Sequence, residues 1–145
     1  MKILHPTDFS ESADLAQQQA VRLAHAVGGE IILLHVTVDT PLYGEGLMNR
    51  KEVREVYEAA RKWATATLEE RVAAIREHGL AARFILKTGV PHLDIVKTAA
   101  EESVDYIVIG THGRGGLERA FLGSVADRVI RSAPCPVVSV RQPLA

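Results

Sequence analysis

Short apolar runs alternate with longer stretches of helical periodicity along the whole chain. The runs are Lys2 to His5, Glu30 to Val38, Ala82 to Leu86, Asp105 to Gly110 and Pro136 to Val140. They are aliphatic or β-branched at successive positions, which predicts parallel strands covered on both faces. After the first run, Ser10 is placed to cap a helix whose first turn carries Glu11 and Asp14, where negative charge meets the positive end of the helix dipole. Ala13, Ala16, Ala20, Leu23, Ala24 and Val27 form its apolar stripe, and Gly28-Gly29 ends it. A second helix is predicted from about Asn49 to His78, turning Val53, Tyr57, Ala60, Trp63, Ala64, Leu68, Val72 and Ile75 inward. Pro91 opens a third, with Leu93, Val96 and Ala100 as its expected buried face, and Val125 to Ser132 reads as a fourth. Asp39 to Met48, with Pro41, Gly44 and Gly46, is the longest irregular connection and a candidate lid.

Strand–helix alternation of this kind builds an α/β fold: a single doubly wound, open parallel sheet with helices on both faces, Rossmann-like in class. The length of 145 residues suits one domain, expected to span 1–145, with a core that needs no metal or disulfide. A net charge of −1 in mixed order argues against nucleic acid as a partner. Cys135 is the only cysteine, which fits a reducing compartment. Lys2 and the early polar positions His5 to Asp8 break the pattern of a signal peptide, and no run approaches the ~20 apolar residues of a membrane span. The expectation is a soluble, cytoplasmic protein with no membrane association.

The chemistry concentrates in Gly110-Thr-His-Gly113, nine further residues, then Gly123-Ser124. Glycines stand where a strand ends and again where a helix begins, and there an α/β sheet offers backbone N–H groups to phosphates. Gly110 and Gly113 would let a ligand approach the backbone. Gly123 and Ser124 lie at a helix N-terminus, and Ser124 reads either as a phosphate ligand or as a plain N-cap. Ligands of such sheets sit beyond the carboxyl ends of the strands, so Pro6-Thr7-Asp8 and His35-Val36 would join the site. Asp8 could accept from a ribose or base, hold a metal, or with Thr7 merely shape the turn into the first helix. Val36 offers apolar contact to a base or belongs to the core. His112 reads as a phosphate donor or a solvated bystander. Arg114 and Arg119 flank the region.

Other sites are missing. No Gly-x-x-x-x-Gly-Lys-Ser/Thr run, Gly-x-Gly-x-x-Gly, His-Glu-x-x-His or Gly-x-Ser-x-Gly occurs. Cys135, between Pro134 and Pro136, has no basic neighbour to activate it and reads as structural.

Taken together these residues resemble the ATP-binding branch of the universal stress protein family. Gly110, Gly113, Gly123 and Ser124 meet its signature of Gly-x-x-Gly, nine residues, Gly-Ser/Thr. Ile3 to Ser10, Leu33 to Val36, Gly89-Val-Pro91 and Ala133 to Val138 are similar to the same family, and only Asp39 to Met48 departs from it. The resemblance implies a five-stranded sheet of order 3-2-1-4-5. It implies that Pro6, Thr7, Asp8 and Val36 surround adenine and ribose, while Ile109, Gly110, Gly113, Gly123, Ser124 and Val125 contact ribose and phosphates. The implied ligand is ATP, with magnesium or manganese as a companion and AMP or ADP as alternatives. It also implies a homodimer through the last strand, Pro136 to Val140. The function expected is a nucleotide-dependent switch in the stress response, with slow ATP hydrolysis at most, because no general base is held by a partner. Two other readings stand beside it: a nucleotide hydrolase or adenylyl transferase using Asp8 and a metal, and a dimeric interaction module with an empty pocket. The protein partners are not legible.

Overall fold

Side-chain alternation along the strands divides the core into two layers in the computed structural model, which describes residues 1–38, 50–112 and 122–143. The strands are β1 (Lys2–Pro6), β2 (Glu30–Val38), β3 (Ala82–Gly89), β4 (Tyr106–Gly110) and β5 (Val137–Val140). The helices are α1 (Glu11–Val27), α2 (Arg50–Glu77), α3 (Pro91–Glu101) and α4 (Ser124–Ser132). All pairings are parallel and the strand order is β3-β2-β1-β4-β5. Ile3, Ile31, Leu33 and Val108 meet Ala16, Ala20 and Ala24 of α1 and Leu68, Val72 and Ile75 of α2. Their neighbours Leu4, Ile32, Leu34, Ile107 and Ile109 point the other way, onto Ile95 and Ala99 of α3 and Ala126 and Val129 of α4. Period-two alternation thus explains why the central strands read as unbroken apolar runs.

The ends of α1 follow from its sequence. The Ser10 hydroxyl accepts from the Ala13 N–H, and Gly28 closes the helix at φ 70, a left-handed conformation. Pro91 occupies the first turn of α3. The face of that helix differs from the expected one: Ile95, Thr98 and Ala99 are buried, whereas Leu93 is 59% exposed and Ala100 is also exposed. Its inward stripe starts from Pro91, so Ile95 and Ala99 stack one turn apart below it and the Leu93 row is rotated outward. In α2 the buried row is Val53, Ala64, Leu68, Val72 and Ile75. Tyr57 is half-buried, while Ala60 and Trp63 are exposed at the strand-end side of the sheet.

Candidate functional site

Beyond the carboxyl ends of the strands lies a cavity of about 590 Å³. Pro6, Thr7, Asp8, Val36, Ile109, Gly110, Gly123, Ser124 and Val125 all line it, drawn together from four separate stretches of chain. Gly113, Arg114, Arg119 and the candidate lid Asp39 to Met48 lie outside the described residues.

The first wall is the turn after β1. The Thr7 hydroxyl accepts from the Phe9 N–H at 3.1 Å, and one Asp8 carboxylate oxygen accepts from the Ser10 N–H at 3.0 Å. Both side chains therefore do shape the turn, as one of the two sequence readings held, while also facing the cavity. The turn carries strain: Phe9 has φ 64, an uncommon conformation for a bulky side chain. β2 supplies the second wall. The Thr7 carbonyl accepts from His35 Nδ1 at 2.7 Å, which fixes the tautomer of that ring. Val36 is half-buried, packs against the α3–α4 layer and lines the cavity, so its core and ligand-facing roles coincide.

The third wall joins β4 to α4. The Gly123 N–H donates to the Thr111 carbonyl at 2.6 Å, bringing the start of α4 back to the strand end. Gly123, not Ser124, is the N-cap of α4, and among the described residues no side chain caps this helix start. Ser124 and Val125 are its first two residues, with Ser124 exposed and both lining the cavity. N–H groups of a first helical turn have no intrahelical carbonyl to bond, so a helix start of this kind suits an anion.

The glycines have structural reasons of their own. A Cβ on Gly110 would stand 2.6 Å from Ser12 Oγ and 2.8 Å from the Ser12 carbonyl oxygen of α1. On Gly123 it would stand 2.7 Å from the Thr111 carbonyl oxygen. Close backbone approach thus demands small residues at both positions before any ligand arrives. His112 is buried rather than solvated: its Nδ1 is 2.9 Å from the Thr111 hydroxyl, and its N–H donates to Ser12 Oγ.

Sequence reasoning missed the aromatic flank. Trp63 of α2 lines the cavity beside Ala60 and Ala64, and Pro91 and Ile95 of α3 close the opposite side. The helical pattern sets Trp63 inward with Ala60 and Ala64, so its position in the sequence did not distinguish it from a core residue, whereas it is 53% exposed. Cys135 is half-buried against the α3–α4 layer, and burial, then the nearby Asp105 charge, pushes its thiol pKa up, consistent with a structural role. Among the described residues no group of three or more His, Cys, Asp or Glu side chains gathers for a metal, and no helix is long and apolar enough to cross a membrane.

The sequence model of the universal stress protein family matches residues 1–141. Universal stress protein MJ0577 of Methanocaldococcus jannaschii is 31% identical over an alignment covering 97% of this chain and 94% of that protein. Among solved structures, the universal stress protein UspA of Lactobacillus plantarum superposes with a TM-score of 0.86 at 25% identity, covering 97% of each chain. The universal stress protein of Archaeoglobus fulgidus in complex with dAMP superposes with a TM-score of 0.66 at 28% identity, covering 97% of this chain and 98% of that one.

Proposed function

The chain belongs to the universal stress protein family, and from that premise we propose that it binds an adenine nucleotide, ATP foremost, in the strand-end cavity and serves as a nucleotide-dependent switch in the stress response. The observation that carries this reading is the convergence of the β1 turn, the β2 end and the side-chain-uncapped start of α4 on one cavity. The dAMP complex of the Archaeoglobus relative supports it. Pro6 and Val36 offer apolar contact to the base, and Asp8 an acceptor for ribose. The first-turn N–H groups of α4 and the Ser124 hydroxyl are donors to phosphates, with the helix dipole adding to their attraction. The chain's own residues thus bind and orient the nucleotide. A divalent cation would accompany the phosphates, contributing charge neutralisation there.

Occupancy shifts the conformational balance only as far as the nucleotide binds one state more tightly. One oxygen of the Asp8 carboxylate already serves the β1 turn. The same reading holds any hydrolysis to be slow at most. It also includes a single cytoplasmic domain and a homodimer paired through β5.

Calorimetric titration of nucleotide-stripped protein with AMP, and with ATP in the presence and absence of magnesium, tests it. Saturable binding at one nucleotide per chain is expected. The absence of heat at millimolar nucleotide would refute the proposal.

A further inference from the structure

The β1 turn does more than place Asp8. Its left-handed residue, Phe9 at φ 64, directs an aromatic ring back over the end of β2, where it lies 4.5 Å from the His35 ring at an interplanar angle of 33°. Strained conformations of this kind persist where surrounding contacts over-determine them, and they concentrate at ligand sites. Here the contacts are evident. The His35 ring is tied to the Thr7 carbonyl. The Arg71 guanidinium lies 5.4 Å from the Phe9 centroid and is itself anchored by Asp14 at 2.6 Å and Gln17 at 3.0 Å. Trp63 completes the series, perpendicular to Phe9 at 85° with a centroid separation of 5.1 Å.

Packing on one side thereby sets the inclination of the indole, yet Trp63 remains 53% exposed and lines the cavity. Its neighbours on that wall, Ala60 and Ala64, are too short to cover it. A tryptophan that only filled the core would be turned inward, as Ala64, Leu68 and Val72 are on the same helix. A rigid, half-exposed aromatic in a concave site is instead a surface for a planar ligand.

We propose that Trp63 is a specificity-determining contact of the nucleotide site, stacking on the base and favouring an aromatic, purine-sized ring there. This rests on the nucleotide reading above and deepens it: Pro6 and Val36 give the base its apolar seat, and Trp63 its aromatic wall.

Trp63 is the only tryptophan in the chain, so its emission reports on this wall alone. AMP is titrated with fluorescence and calorimetry followed in parallel on the wild-type protein, and with calorimetry alone on Trp63→Phe and Trp63→Leu. Expected are saturable quenching that tracks the heat, affinity within about threefold for Trp63→Phe, and a loss of about tenfold for Trp63→Leu, in line with base–aromatic stacking. Trp63→Leu keeps apolar bulk against Phe9 but no stacking surface, and far-ultraviolet circular dichroism checks that it folds. Unchanged emission during a titration whose heat saturates overturns the stacking contact, as does equal affinity of the Leu and Phe variants. No heat with AMP in the wild-type protein overturns the nucleotide reading itself.

Discussion

His5 shows what a single buried side chain can decide. It is fully buried in β1, and its Nδ1 donates to the Val108 carbonyl at 2.9 Å. Burial foremost lowers its pKa from 6.5 to about 4, opposed by the bond to Val108. The sign follows from linkage: the unfolded chain takes up a proton near pH 6.5 while the folded chain refuses it until about pH 4. The neutral ring's contribution is therefore fully present above pH 6.5 and is lost as pH falls toward 4. Between pH 7 and pH 5 wild-type stability should drop by about 2 kcal/mol more than that of His5→Leu, measured by urea unfolding at both values. Parallel pH profiles for the two proteins would contradict this origin. Gly110 and Gly123 teach the complementary lesson. Their spacing is the most specific signal in the sequence, but Ser12 and the Thr111 carbonyl already require glycine at these two positions. The motif reads as ligand chemistry partly because the geometry that opens the site also brings α1 and α4 against the end of β4.

Elements were legible where one constraint dominated. The cap of α1, its glycine stop, the full span of β2 and Pro91 at the start of α3 follow from local chemistry. The buried face of α3 did not, because a short helix with apolar residues at Leu93, Ile95, Val96 and Ala99 offers two overlapping stripes, and contact with β2 and α4 chooses between them. Trp63 escaped for a related reason: helical periodicity assigns a large apolar residue to the core, and only the Phe9 turn shows that it faces a cavity. The other element with an open question of partnership is β5. It is an edge strand whose Val138 is 38% exposed, and an apolar edge invites pairing with a second chain. If the proposed dimer forms there, Val138→Lys should convert a species of twice the monomer mass into monomer in sedimentation equilibrium. A wild-type chain that sediments as a monomer, or a lysine variant that remains dimeric, would remove β5 as the interface.

Across the whole molecule the two ends of the sheet are built differently. At the amino ends of the strands, Arg83 bridges Glu30 and Glu102, the Lys2 ammonium donates to the Glu102 carbonyl, and the Lys2 N–H donates to Asp105. The hydrogen bond from Arg83 holds the Glu102 carboxyl below the ordinary glutamate range, so charges there are mutually satisfied. At the carboxyl ends the chain instead leaves a cavity, a strained turn and a helix start without a side-chain cap. The parallel sheet is what creates this polarity, since every strand end and the following helix start fall on one side. Amide spectra of the ¹⁵N-labelled protein titrated with AMP, then with ATP and magnesium, test the resulting account most directly. It predicts saturable shifts at Thr7, Asp8, Val36, Gly110, Gly123, Ser124 and Val125, with the Lys2–Asp105 end unmoved. Amides of the cavity that stay in place at millimolar nucleotide, or shifts confined to another surface, would contradict it.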